Sequence, residues 1–292
     1  MRPVAIITTV WGRSFIDFYK NHVLPFTKSI LPNEFLILVG TTTNHVEEMR
    51  EITDIVFDCG IHENQSKYSL ASIIDKTVMR FAYENGFRRF VIQNPDSIIS
   101  ESALIRIANT KCKVITLPGI RISKENLLMI YKGFDNEILE NALTVLHPAT
   151  LALARHGGYR RFIRGWPSVV YDIRPNRVRC QALHRHPLMF EIPEHFDWDI
   201  FIDGTLDFNF IQALGYPISA YDNLTASDQG YILEFSGADH VFLEPEPDVD
   251  IDIAIAEFAA SQYCDDLHRW YLETEYEWRP RLKTGETRGE NP

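Results

Sequence analysis

Three observations predict an α/β fold with a mostly parallel sheet. Over the first 125 residues, short β-branched runs alternate with longer stretches of helical spacing, as strands joined by crossover helices do. At 45% hydrophobic and 24% charged residues the chain has apolar content for a sizeable core, and 292 residues suit one large domain or two small ones. Beyond residue 125 neither an internal repeat nor a low-complexity block interrupts it. One mixed α/β domain over residues 1–279 is expected, followed by a short tail.

The strands are predicted at Val4 to Thr9, Glu34 to Val39, Ile55 to Phe57, Arg89 to Gln93 and Lys113 to Leu117. Helical spacing runs from Ser14 to Ile30 and from Leu70 to Asn85. In the second helix Ile73, Ile74, Val78, Phe81 and Ala82 are assigned to one face and Asp75, Lys76, Arg80 and Glu84 to the other, with Gly86 as the stop. A further helix is expected from Asn136 to about Leu146, where His147-Pro148 must bend or interrupt it because proline lacks the amide donor. Val178 to Phe190 reads as one strand and Tyr231 to Phe235 as another. Trp270, Tyr271, Tyr276 and Trp278 read as an exposed aromatic helix that could dock on its own domain, the default, on a partner or on a second subunit, and residues 280–292, almost without apolar side chains, as a disordered tail.

Charge and motif searches narrow the function. With 29 Lys and Arg against 40 Asp and Glu the formal charge is −11, so a nucleic acid is not an expected partner. The longest stretches without charge, Asn141 to Ala154 and Phe208 to Tyr221, have 14 residues where a spanning helix needs about 20. No transmembrane segment is expected, although peripheral association with a membrane is compatible with the sequence. The N-terminal apolar run meets Gly12 and Arg13 and reads as a first core strand. Cys59, Cys112, Cys180 and Cys264 are widely spaced, as reduced thiols in a cytoplasm would be. The sequence has no GxGxxG fingerprint, GxxxxGK[ST] loop, GxSxG elbow or HExxH pair, which weighs against ordinary dehydrogenases, P-loop kinases, α/β hydrolases and zincins.

Four constellations remain. In the first, the strand ending Phe90-Val91-Ile92-Gln93 opens into Asn94-Pro95-Asp96-Ser97. Ligands of open α/β sheets lie beyond the carboxyl ends of strands, which would aim Asp96 into a crevice; its oxygens suit Mg²⁺ or Mn²⁺ bridging two phosphates. Alternatively Asp96 belongs to a β-turn and caps the helix beginning near Glu101. In the second, Leu183-His184-Arg185-His186-Pro187-Leu188 puts His184 and His186 on one face of a strand, where imidazoles can coordinate a metal or donate to phosphate. In the third, Asp203, Thr205, Asp207 and Asn209 would share a strand face suited to a metal or to sugar hydroxyls. If the segment instead enters a helix, Asp207 caps Phe208 to Leu214 and Gly215 ends it. Asp203 stands before Gly204 in either case and is the stronger candidate for general base or metal ligand. The fourth is the arginine-rich run from Arg155 to Arg179 around Trp166, suited to diphosphate or an anionic acceptor, or else a solvated face balancing the acidic residues. Arg121, in Pro118-Gly119-Ile120-Arg121, is a candidate for the crevice as well as an ordinary surface arginine.

The order Trp11-Gly12, Leu24-Pro25, Pro95-Asp96-Ser97, Leu117-Pro118-Gly119-Ile120-Arg121, Leu146-His147-Pro148, Leu183 to Leu188 and Asp203-Gly204-Thr205-Leu206-Asp207 resembles a group of bacterial proteins. These are similar to glycosyltransferases of the glycosyltransferase-A fold and are associated with surface polysaccharide. The resemblance spans roughly residues 4 to 236. It implies a three-layer α/β/α sandwich with a nucleotide-binding half at about 1–125 and an acceptor half at about 126–279. It also implies sugar transfer from a nucleotide-diphospho-sugar to a glycan acceptor. Thr8, Thr9 and Trp11 would then cradle the nucleotide, with Arg121 as a further donor-binding residue and Asp203 and Asp207 as the catalytic carboxylates. The fold's usual Asp-x-Asp metal site is incomplete here, because Ile98 follows Asp96. His184, His186 or Asp203 would complete a Mn²⁺ or Mg²⁺ site, or arginines would hold the diphosphate without metal. A catalytically silent module that binds a sugar nucleotide or glycan is the alternative from another class. A metal-dependent hydrolase or nucleotidyltransferase using the same pocket is a third reading.

Overall fold

The computed structural model describes residues 3–53, 55–60, 67–125, 127, 169–174, 177–182, 186–199, 206, 208–237, 256, 259–262 and 264–279. The chain gathers into two compact units. The first takes Met1–Gly119, Arg185–Leu224 and Ile232–Glu234; the second takes Ile120–His184, Thr225–Tyr231 and Phe235–Pro292.

The first unit is built on a seven-stranded sheet. Its strands are β1 (Val4–Thr9), β2 (Phe35–Thr41), β3 (Val56–Asp58), β4 (Arg89–Ile92), β6 (Val114–Leu117), β10 (His186–Glu191) and β11 (Tyr221–Asn223). They lie in the order β11-β6-β10-β4-β1-β2-β3. β1 is parallel to β2 and β4, β2 to β3, and β11 to β6, whereas β10 runs antiparallel between β4 and β6. Every residue of β1 and β6 is buried, as strands covered on both faces require. The cover is visible at the end of β1. Thr8 is turned toward Tyr19, whose phenol burial pushes above its ordinary range and the Thr8 hydroxyl eases back, while Thr9 on the opposite face bonds Asp75. Tyr19 and Asp75 belong to the two helical layers, so the unit is an α/β/α sandwich with a mostly parallel sheet, as expected.

One layer holds the helical run predicted from Ser14 to Ile30. It is helical throughout but in three pieces: α1 (Arg13–Phe18), a π-helical turn over Tyr19–Val23, and α2 (Leu24–Ile30). Pro25 in the first turn of α2 has no amide hydrogen to give the preceding turn, and the wider turn lies directly before it. Between β2 and β3 stands the short α3 (Val46–Arg50). The other layer holds α4 (Lys67–Glu84), which Gly86 ends at φ 92. Leu70, Ile74, Val78, Met79 and Ala82 are buried in this helix. The predicted face needs correction: Ile73 and Phe81 are 41% and 46% exposed, and Asp75 is buried. Asp75 is tolerated on the inward face because Thr9 supplies its carboxylate with a donor.

Close seating of α4 depends on Gly40 in β2. A Cβ there would lie 2.3 Å from Ile74 Cγ2 and 2.8 Å from Val78 Cγ2, so any side chain must push the helix outward. Gly40→Ala is expected to cost about 1–3 kcal/mol, read as a lower urea midpoint at unchanged slope. An unchanged midpoint would mean that the two methyls rotate away freely.

After β4, β5 (Ser97–Ile99) leads into α5 (Glu101–Asn109). Ser100, not Asp96, is the N-cap of α5, its hydroxyl accepting from the Ala103 amide at 3.2 Å. β5 separates Asp96 from the helix, so the capping alternative for Asp96 does not hold. The helix expected after Asp207 is present as α6 (Phe208–Ala213), with Gly215 at φ 71 beyond it. Residues 232–234 of β12 (Ile232–Ser236) pair antiparallel with β5.

The second unit contains β7 (Ile120–Ser123), the hairpin of β8 (Val169–Arg174) and β9 (Arg177–Ala182), then α7 (Asp266–Leu272) and β13 (Glu275–Trp278). β9 is central in a sheet of order β13-β9-β8. The single strand predicted from Val178 to Phe190 is therefore two, β9 and β10, in different sheets. Uniform β-propensity hid the exchange, because propensity does not report which neighbour a strand pairs with. The aromatic tail is likewise not one helix. Tyr276 and Trp278 lie in β13, both buried, with the Tyr276 hydroxyl donating to the Gly230 carbonyl at 2.8 Å. The predicted helix at 136–146, most of the arginine-rich run and the tail from 280 lie outside the described residues.

Candidate functional site

In the first unit, strand order reverses beside β1: the chain moves outward from β1 to β2 and β3, then returns to place β4 on the other side of β1. The connections after β1 and β4 therefore diverge, which opens a crevice beyond their carboxyl ends. Val10-Trp11-Gly12 leaves β1 there, and Gln93-Asn94-Pro95-Asp96 leaves β4. Because β10 is antiparallel, its first residue lies at this same edge, His186 standing opposite Leu117 at the end of β6. Trp11, Asp96 and the backbone of His186 are thus brought to one sheet edge from positions far apart in sequence.

The turn after β1 is held from two sides. The Val10 amide donates to the Gly40 carbonyl at 3.0 Å, and the Thr41 hydroxyl donates to the Val10 carbonyl at 2.6 Å. On the other face of β1 the Thr9 hydroxyl donates to Asp75 Oδ1. Gly12 then adopts φ 77, a left-handed conformation that a side chain would strain, and turns the chain into α1. Trp11 is the half-buried residue between these fixed points. Arg13, exposed at the start of α1, bonds Glu48 at 2.5 Å.

Neighbouring strand ends are anchored in similar ways. Asp58 at the end of β3 accepts from the Thr43 hydroxyl at 2.8 Å and the Gly60 amide at 2.9 Å. Buried Gln93 donates to the Thr27 hydroxyl at 3.0 Å and to the Ser97 carbonyl at 3.1 Å, tying the loop that carries Asp96 to α2. Burial pushes the Asp75 carboxyl up to about 7, the Thr9 bond opposing the shift. Burial, with Asp58 adding to it, pushes the Cys59 thiol up to about 12, so it stays a neutral thiol.

Of the residues singled out in the sequence, Thr8 and Thr9 are buried at the end of β1, Thr9 with its hydroxyl committed to Asp75. Trp11 and Asp96 are half-buried at the crevice. Arg121 belongs to the second unit, where its guanidinium donates to the Ser236 hydroxyl at 2.6 Å. His184, Asp203 and Asp207 lie outside the described residues. Asp75, Thr41 and Gln93 were not singled out. Asp75 did leave a signal: Ala71, Ser72, Val78, Met79 and Ala82, its helical neighbours at three-, four- and seven-residue spacing, are all small or apolar.

Among the described residues no three His, Cys, Asp or Glu side chains gather into a group that could hold a metal ion. Asp96 offers hard oxygens but Ile98 offers none and is buried. The described residues do not by themselves make a cation site. Cys59, Cys112 and Cys264 are free thiols. Among the described residues no helix is long and apolar enough to cross a membrane.

The fold defines the class: an α/β sandwich on a mostly parallel sheet, with the connections after β1 and β4 diverging where strand order reverses. No protein family and no curated protein matches the chain. Among solved structures it has a likeness to the inositol-1-phosphate CTP transferase from T. maritima, with a TM-score of 0.31 and 9% identity, covering 90% of this chain and 98% of that one. The assignment of the class rests on strand order and burial, not on that likeness.

Proposed function

We propose that the protein binds a nucleotide-diphospho-sugar at the carboxyl edge of the seven-stranded sheet and transfers the sugar to a glycan of a surface polysaccharide. The observation that carries this reading is the convergence of Trp11, Asp96 and His186 on the edge where strand order reverses. Trp11 offers an aromatic face for a base, and the backbone around Gly12 is open to close approach because no Cβ stands there. As the acceptor hydroxyl attacks the anomeric carbon, the bond from that carbon to the diphosphate oxygen breaks and Asp203 takes the hydroxyl proton. The negative charge that grows on the diphosphate must be offset, and imidazole or guanidinium donors are the groups this chain would bring to it.

The test is a thermal-shift screen of the full chain against UDP, GDP, CDP and dTDP sugars, each with and without Mn²⁺, followed by a transfer assay. A ligand at a hundred times its Kd should stabilise the fold by about 2.7 kcal/mol. Trp11→Ala and Asp96→Ala are each expected to weaken that shift, and Asp203→Asn to lower transfer by about 10²-fold or more while leaving it intact. Wild-type transfer rates in both Asp96→Ala and Asp203→Asn would sink the mechanism. Binding of a sugar nucleotide with no turnover in the wild type would make the protein a recognition module instead.

A further inference from the structure

We propose that Asp75 is a positioning residue for the nucleotide, acting through Thr9 to fix the turn that carries Trp11 and Gly12; the proposal deepens the function above and rests on it. Asp75 sits in α4, on the face turned to the sheet, with its carboxylate wholly buried and accepting the hydroxyl of Thr9, the last residue of β1. Thr9 is the β-ladder partner of Gly40, and at Gly40 α4 packs closely on the sheet through Ile74 and Val78. The carboxylate therefore reaches β1 from a helix that is seated on apolar contacts of its own. Those contacts would keep α4 in place with an apolar residue at 75.

The position of the bond in the chain is what gives it a role at the crevice. Thr9 is fixed to α4 by its side chain, and the next residue, Val10, is fixed to β2 through the Gly40 carbonyl and the Thr41 hydroxyl. Trp11 and Gly12 follow at once, so their backbone leaves the sheet from a point clamped on both sides. Holding a binding loop in one geometry before the ligand arrives raises affinity by removing the cost of ordering it. A buried carboxylate is an expensive way to fill a core, and burial raises the Asp75 pKa by disfavouring its ionised form there. Groups maintained against that cost cluster at functional sites. Asp75 acts electrostatically on Cys59, which stays neutral; Asp58 is exposed beside it and engaged by Thr43 and Gly60.

The test compares wild type with Asp75→Leu, Thr9→Val and Thr9→Ser in the full chain, by calorimetric titration with UDP, GDP, CDP and dTDP and by hydrogen exchange of the amides of residues 9–13. Asp75→Leu and Thr9→Val are expected to weaken binding of the preferred nucleotide at least tenfold and to speed exchange at Trp11 and Gly12. Thr9→Ser, which keeps the donor, is expected to bind within twofold of wild type. General loosening of the fold would also speed exchange along β2 and β4, and that result would overturn the proposal. So would nucleotide binding by Asp75→Leu within twofold of wild type. If wild type binds none of the four nucleotides, the proposed function falls and the binding role of Asp75 with it. The exchange pattern would then still show whether the Thr9 bond holds the turn.

Discussion

Between pH 4.5 and pH 8 the melting temperature of Asp75→Asn is expected to rise by about 5 °C or more relative to wild type. The Asp75 carboxyl is completely buried and its acidity is shifted from 3.8 to about 7, chiefly by burial. A carboxyl whose folded value lies above its unfolded value binds more protons when folded across the interval between the two. Its favourable contribution is complete below about pH 4 and is lost as pH rises through 7. At about 1.4 kcal/mol per unit the interval corresponds to a few kcal/mol, and each kcal/mol moves the melting point of a chain this size by about 2–4 °C. Asparagine keeps the shape and the acceptor for Thr9 but does not titrate, so the pH-dependent loss disappears. Any fixed packing cost of the amide cancels when differences are compared across pH. A melting-temperature difference that stays flat from pH 4.5 to 8 would show that Asp75 titrates as an ordinary carboxylate.

Phe190→Ala is expected to cost about 3–5 kcal/mol, the range for deleting a buried phenyl ring. Phe190 is fully buried in β10, stacked on Phe90 of β4 at 6.0 Å and edge-on to Phe210 of α6 at 4.9 Å. The ring thus joins the antiparallel strand to its neighbour in the sheet and to a helix at once. β10 also carries His186 to the crevice, so loss of its packing should reach the site. Urea unfolding of Phe190→Ala and Phe190→Leu would check this, the leucine variant losing far less. A loss under about 1 kcal/mol for alanine would mean that β10 lies outside the cooperatively folded core.

Much of the first unit was legible in the sequence. β1 was placed with its observed ends, and β2, β3, β4 and β6 within one or two residues, because short apolar runs bounded by polar turns report local conformation directly. Gly86 and Gly215 were correctly read as stops, since left-handed backbone is a local demand that glycine meets. The divergence of the chain after β1 and β4 was legible in outline: a turn at Asp96 and a turn at Trp11 follow from the positions of β4 and β1. The inward face of α4 was not, because Ile73 and Phe81 fit a helical stripe as well as Asp75 fails to. Only the presence of Thr9 across the layer makes burial of Asp75 tolerable.

Sequence alone determined the ends of β1, β2, β3, β4 and β6 to within two residues and the stops at Gly86 and Gly215, since spacing and glycine act within a few residues. The tertiary structure alone decided which strands are neighbours, that 178–190 divides between two sheets, and that β10 enters antiparallel to set His186 at the crevice edge. It also decided that a carboxylate lies in the core beside Thr9. Pairing and burial are relations between residues tens of positions apart, and their free energy depends on partners that no local pattern names.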